Sequence, residues 1–306
     1  MLIPCPGLRK LKNVFLTHPD EDHINYAHDK LGNGLLDQQE IDAPPRTVNV
    51  YLGEEKGWES KKPDFLRALK SNNGVKVEFK TRDVMKSVQI CEKTEIVMVA
   101  SDLTETANGR SLVLSLKVNG HKKMLFMGDF EGIEGYKTLL SKQYQAQISD
   151  HEVIMVPHHG SGEKGNPNVN FYKLVKPKHA IVSSSLWADY RHPKLKHLKA
   201  LCDYSTNWLA NEEGTDASDE KKVFGWDVLT KQYKDGNWYT YSRLYSIDEC
   251  QRHGQEHDGE VSFYQTTRAR FEERDESNHD PVSKAYYLCE TNIDGNGNID
   301  VRSYEV

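Results

Sequence analysis

The seven residues Thr17-His18-Pro19-Asp20-Glu21-Asp22-His23 constrain this chain more than any other stretch. They place two imidazoles and three carboxylates in the six positions from His18 to His23. They follow Asn13-Val14-Phe15-Leu16, an apolar run that reads as a short buried strand. Side chains this densely charged at a strand end repel one another unless a cation sits among them. Imidazole nitrogen together with carboxylate oxygen suits zinc, manganese or iron. A solvated acidic loop is the alternative, and a lone histidine would favour it. H-x-D-x-D-H directly after a strand favours the metal.

The rest of the composition sets the setting for such a site. The chain has 306 residues, a charged fraction of 28% and a net charge of −6. This predicts a soluble protein with a normal core and argues against nonspecific nucleic-acid binding. The apolar runs are too short to span a membrane, and Met1-Leu2-Ile3-Pro4-Cys5 does not read as a signal peptide. The five cysteines are scattered without a C-x-x-C and read as free thiols in a reducing compartment, so the expected location is cytoplasmic.

Further along, the same arrangement recurs: an apolar strand with a metal-type side chain at its end. Lys122 to Met127 ends at Gly128-Asp129, Glu152 to Val156 at Pro157-His158-His159-Gly160-Ser161, and His179 to Ser184 leads on to His192-Pro193. Strand ends on one edge of a sheet converge in a layered α/β fold. Asn119-Gly120 predicts a type I′ turn between Ser111–Val118 and Lys122–Met127. Other strands are expected over Thr47–Leu52, Val75–Phe79 and Glu95–Ala100. Helices are expected over 24–36, around Phe65–Leu69, and over 134–140, 171–175 and 194–201.

These motifs resemble those of the metallo-β-lactamase-fold hydrolases. They are most similar to the ComEC-type domain of the competence DNA-uptake proteins and its stand-alone relatives. The resemblance rests on Thr17 to His23, Asn108-Gly109-Arg110-Ser111, Gly128-Asp129, Pro157 to Ser161 and His192-Pro193, in that order. It implies an αββα sandwich of the α/β class. It also implies two divalent metal ions, zinc or manganese. His18 and Asp20 would hold one, Asp22 and His23 the other, and Asp129 would bridge both. One of His158 and His159 would complete the second site, with His159 preferred as ligand and His158 as a substrate contact or a support behind the ligands. Asn108 stands where many relatives carry a histidine ligand, which weakens the first site. His192 would be a ligand, a proton donor or an oxyanion contact. Asn108 and Ser161 would hydrogen-bond substrate oxygens.

Two ions about 3.5–4 Å apart activate a bridging water for in-line attack. The implied function is therefore a phosphodiesterase, with Asp22, His192 and His158 as catalytic groups and a small phosphoester or a nucleic acid as substrate. Action on a lactone, thioester or other ester is the alternative, as is a truncated, silent binding or regulatory module. A β-lactamase proper is disfavoured because Asp20 replaces the usual second histidine.

The family's usual N-terminal β-hairpins are expected to be missing, since the metal loop comes within a dozen residues of Met1. Three accounts are open: a truncated product, substitute strands from Trp226–Tyr245, or a second copy covering the exposed sheet edge. The expected organisation is a metallo-β-lactamase-like domain over 1–205, an insertion or extension over 206–285, and closing strands over 286–306. Within the insertion, 250–280 is highly charged and expected to be exposed or mobile. Two weaker signals remain. Asp294 to Glu305 imitates a calcium loop, but Ile299 stands where glycine is needed, so a hairpin turn is expected. Lys173, Lys176, Lys178, Arg191, Lys194, Lys196 and Lys199 read as a solvated face or as a rim attracting phosphate.

Overall fold

A computed structural model describes residues 12–24, 47–72, 74–80, 85–162, 165–166, 168–183, 197, 200–201, 262–265, 267–270, 283–294 and 296–305. The predicted helix 194–201 (apart from helical backbone at residues 197 and 200–201), most of the predicted helix 24–36 and the stretch Trp226–Tyr245 lie outside these residues, as does His192.

Three parallel strands form a first sheet in the order β1 (Asn13–Phe15), β2 (Val48–Leu52), β3 (Val75–Phe79). Helices α2 (Glu55–Lys61) and α3 (Pro63–Ser71) cover one of its faces. In α3, Pro63 stands at the first helical position, where its missing N–H costs nothing. Phe65, Leu66 and Leu69 then share one buried face with Trp58, Val50 and Leu52.

A second sheet has seven strands. Its order is β10 (Ser262–Gln265), β9 (His179–Val182), β8 (Val153–Met155), β7 (His121–Phe126), β6 (Val113–Val118), β5 (Thr94–Ala100) and β4 (Lys86–Cys91). The four strands β4 to β7 are antiparallel, and β7 to β10 run parallel. The period-2 alternation of β5 shows how the layers form. Val97 and Val99 point to one face, into the core beneath α4 (Ile133–Leu139), α5 (Lys142–Ile148) and α6 (Val169–Val175). Met98 and Ile96 point to the other, where they meet Tyr51 and Phe15 of the first sheet. The layers are therefore helix, sheet, sheet, helix: the αββα architecture.

The predicted hairpin forms as expected. Asn119 and Gly120 both take positive φ, 52° and 78°, as a type I′ turn requires. A third, antiparallel sheet contains β11 (Thr267–Arg270), β12 (Ser283–Ile293) and β13 (Ile299–Glu305). Asp294 caps the β12–β13 turn. Its Oδ1 accepts from the backbone N–H of Asn296 and of Asn298, both at 2.8 Å, and its Oδ2 accepts from Asn298 Nδ2 at 2.7 Å. This is the hairpin turn that the sequence favours over a calcium loop.

One expectation needs correction. The charged stretch 250–280, in which no regular structure is expected from the sequence, contributes two strands, β10 and β11. β10 pairs in parallel with β9 and takes up hydrogen bonds that β9 would otherwise present as a bare edge.

Candidate metal centre

Strands β7, β8 and β9 are parallel, so their C-terminal ends lie along one edge of the second sheet. The segments leaving them carry Asp129, His158 with His159, and Ser183. From the first sheet, β1 delivers Thr17 and His18 to the same edge, and α1 (Glu21–Ile24) carries His23. Backbone bonds fasten these segments together. The Leu112 N–H donates to the Thr17 carbonyl at 2.9 Å, and the His158 N–H donates to the Gly128 carbonyl at 3.0 Å. The Asp129 N–H donates to Ser111 Oγ at 3.1 Å. Gly128 has φ 53°, and a Cβ added there would lie 2.7 Å from Thr17 Cβ. Only glycine lets the metal loop approach Asp129 this closely.

Asp129 is the hub. It is 5% exposed, yet four imidazoles surround it. Its Oδ1 lies 3.0 Å from His23 Nε2 and 3.3 Å from His159 Nε2. Its Oδ2 lies 3.6 Å from His18 Nε2 and 3.9 Å from His158 Nε2. Asp20 Oδ2 stands 3.6 Å from His18 Nε2, and His23 Nε2 stands 3.4 Å from His159 Nε2. Burial opposes the charge on Asp129, but the adjacent imidazoles of His159, His18 and His23 outweigh it and hold the carboxyl far below the usual carboxylate range. Burial likewise opposes protonation of His18, and Asp129 and Asp20 outweigh it, raising the imidazole's pKa.

The donor set fits divalent metal. His18 Nε2 and Asp129 Oδ1 are both buried without a well-directed hydrogen bond among the described residues. His18, His23 and Asp129 each present one ligand atom within 4.8 Å of the others. Two donors about 2.1 Å from one tetrahedral ion stand about 3.4 Å apart, whereas an N–H···O hydrogen bond measures about 2.9 Å. The spacings around Asp129 scatter about the first value.

The opposite ring nitrogens are engaged as ligand histidines require. His159 Nδ1 donates to the Ser183 carbonyl at 2.6 Å, which leaves a lone pair on Nε2 when the ring is neutral. Thr17 Oγ1 lies 3.2 Å from His18 Nδ1 and 3.3 Å from His23 Nδ1. His158 Nδ1 pairs with Glu131 Oε2 at 3.0 Å. All four rings thus turn Nε2 inward.

Of the residues singled out in the sequence, His18, Asp20, His23, Asp129, His158 and His159 come together. Asp22 lies in α1 next to His23. Asn108 begins a 3-10 turn, with Nδ2 3.4 Å from His158 Nε2. Ser161 is placed differently from its expected role as a substrate contact. It is 1% exposed, its N–H donates to the His158 carbonyl at 2.7 Å, and its carbonyl accepts from His197 Nδ1 at 2.7 Å, so it anchors the loop. Of the basic residues expected to rim the site, Arg191, Lys194, Lys196 and Lys199 lie outside the described residues, and two others are placed elsewhere. Lys176 and Lys178 precede β9 and so stand at the opposite end of the sheet, paired with Asp150 at 3.6 Å and Glu152 at 3.8 Å. The sequence does not mark Glu131, which only the fold brings to within 3.0 Å of His158 Nδ1. A cavity of about 200 Å³ opens beside His18, bounded by Trp58, Lys61 and Arg110.

No family model matches the chain. ComE operon protein 3 of Bacillus subtilis strain 168 is 27% identical over 218 residues, which is 70% of this chain and 25% of that protein. The chain thus spans about a quarter of that relative's length. Among solved structures, Igni18, a metallo hydrolase from Ignicoccus hospitalis, matches at 14% identity with a TM-score of 0.32, covering 56% of this chain and 62% of its own. Zinc-bound PqqB from Methylobacterium extorquens matches at 13% identity with a TM-score of 0.30, covering 65% of this chain and 59% of its own. With its five motifs in order, its αββα layers and its sequence match to the competence-operon protein, the chain is similar to the metallo-β-lactamase-fold hydrolases, and to their ComEC-type members in particular.

Proposed function

We propose that this chain is a metal-dependent hydrolase that cleaves phosphodiester bonds. The observation that carries the reading is the convergence of four inward-facing Nε2 atoms on the two oxygens of one buried carboxylate. His18, Asp20 and Asp129 would hold one divalent ion, zinc or manganese. Asp22, His23, His159 and Asp129 would hold a second. Bound there, such ions supply Lewis acidity, bringing the pKa of a coordinated water towards neutrality and offsetting charge on a phosphoryl oxygen.

The chain's own groups do the rest. Asp22 orients the attacking water. His192 gives a proton to the leaving oxygen, a role that imidazole side chains in general suit. Asn108 offers its amide to a substrate oxygen. The cavity beside His18 is lined by Lys61 and Arg110 and equally by Glu54 and Glu105, so the preference for a small phosphoester or the backbone of a nucleic acid is carried by the ComEC-type motifs and not by the charge of the cavity. Arg110 is held in place by Asp102, 3.1 Å from its Nε.

The test is metal content by elemental analysis followed by hydrolysis of bis-(p-nitrophenyl) phosphate, alongside a lactone, a thioester and a simple carboxylic ester. Close to two equivalents of metal are expected, with phosphodiester cleavage lost on chelation and restored by added zinc or manganese. Turnover of the acyl substrates alone would move the reading to another ester bond. Folded protein that takes up no metal would refute it.

A further inference from the structure

The four histidines do not surround Asp129 evenly. His23 and His159 face Oδ1, at 3.0 and 3.3 Å, and His18 and His158 face Oδ2, at 3.6 and 3.9 Å. The adjacent residues His158 and His159 therefore serve opposite halves of the site. Their backbone makes this possible. Both take the left-handed conformation, φ 48° and 52°, unusual for two successive non-glycine residues. An extended pair would also send its side chains to opposite sides, but would not keep both beside one carboxylate.

On the Oδ2 side the donors otherwise amount to His18, Asp20 and the shared Asp129. Asn108 stands where a further imidazole is expected, and its Nδ2 touches His158 Nε2 at 3.4 Å. That contact lies at the outer limit of a hydrogen bond and puts the His158 nitrogen in the place an Asn108 imidazole would reach. Behind His158, Nδ1 lies 3.0 Å from Oε2 of Glu131, which is 0% exposed; this is ion-pair distance, though the contact is not a well-directed hydrogen bond among the described residues. A carboxylate so deeply buried is costly unless it is paired. A carboxylate on one imidazole nitrogen is the usual support for a histidine that binds metal through the other, fixing its tautomer and its angle.

We infer that His158 is a metal ligand on the Oδ2 side, where it replaces the imidazole that Asn108 lacks, and that Glu131 is its positioning residue. The inference rests on the binuclear reading above. It gives each half of the site two imidazole nitrogens and one oxygen of Asp129, with Asp20 completing the first half. His158 is thereby a ligand and not a substrate contact.

The experiment uses the full chain and counts ions. His158→Gly removes the imidazole while suiting the positive φ, so the loop is relieved of strain and folding is preserved. The metal-stripped protein is titrated with zinc, followed by elemental analysis, and with cobalt(II), followed by its visible absorption. The parent is expected to take up two equivalents and His158→Gly one, with the cobalt band of one site lost and added imidazole restoring it. Glu131→Gln, which keeps the shape of the side chain, is expected to weaken one ion and not the other by about 10- to 100-fold. Two ions bound by His158→Gly with unchanged affinities would overturn the inference and leave the binuclear reading standing. A parent that binds no ion would refute both. If His158→Gly loses its circular dichroism spectrum, Glu131→Gln decides alone, and unchanged binding of both ions by that variant overturns the inference.

Discussion

His18 and His151 are buried alike, each about 1% exposed, and they behave as opposites. His18 sits between two carboxylates, with Asp20 and Asp129 each 3.6 Å from its Nε2, and its pKa is raised. His151 sits in the core at the other end of the sheet. Its Nδ1 donates to the Ile148 carbonyl at 3.0 Å, and its Nε2 meets Ser115 Oγ at 2.8 Å. Burial pushes its pKa down from 6.5 to about 4, so it is held neutral. Depth alone does not distinguish a ligand from a structural histidine; the charge of its neighbours does. One ring is placed among acceptors that require a cation, and the other is fully served by neutral partners.

Four changes press on that contrast. The largest effect is expected from Asp129→Ala. It removes the shared acceptor of four imidazoles, so on the proposed binuclear reading both ions are expected to be lost and hydrolysis to fall by more than the roughly 100-fold that loss of a supporting partner costs. Elemental analysis and rate measurements read it. Retention of either ion at parental affinity would place the hub elsewhere.

His151→Leu comes next and reverses the pattern. It leaves metal content per folded molecule unchanged but strands the Ile148 carbonyl and Ser115 hydroxyl, costing about 1–3 kcal/mol. Its pH signature is specific. The unfolded imidazole binds a proton below about 6.5, the folded one only below about 4, so the stabilisation is complete above the first value and lost as pH falls through the second. Over that window the parent is expected to lose about 3 kcal/mol that the variant does not. Denaturant melts at pH 7 and pH 4 on both proteins measure it, and equal losses would contradict the neutral, buried state of His151.

Gly128→Ala is an intermediate case. The added methyl meets Thr17 Cβ at 2.7 Å and the left-handed backbone costs about 1–2 kcal/mol. Because Thr17 precedes His18, weaker metal binding is expected as well as a lower melting temperature. A stability loss with intact metal affinity would show that the loop yields without disturbing the ligands. Asn168→Ala is the smallest. It deletes the cap whose Oδ1 accepts from the Phe171 N–H at 3.0 Å, costing about 1 kcal/mol, with no change in bound metal.

Much of the centre was legible because it is written in short runs. A strand followed at once by H-x-D-x-D-H, and another followed by Pro-His-His, announce ligands at strand ends. The β-prone run Glu95–Ala100 and the hairpin across Asn119-Gly120 announce the sheet that aligns them. What stayed hidden depended on distance along the chain or on thin local signals. Glu131 looks like any surface acid until His158, 27 positions later, is brought against it. The adjacent histidines could not be told apart because the sequence does not show two successive left-handed residues. Helix α5 is not legible in the sequence because only Tyr144 and Ile148 are buried in it, too few to show a period. β10 is equally illegible, because its four residues lie in a charged stretch and find their partner some eighty positions away.

The bond from the Leu112 N–H to the Thr17 carbonyl has a consequence for how the protein is born. It closes a loop of nearly a hundred residues, and Ser183, which fixes His159, lies further on still. Contacts so remote form late, after the nearby hairpins have closed. On the ribosome, the first ligands emerge long before their partners, and no early fragment holds the complete pocket. An ion that binds the finished pocket then favours only the finished chain, by mass action. Metal uptake during synthesis would therefore serve as a readout of completed folding.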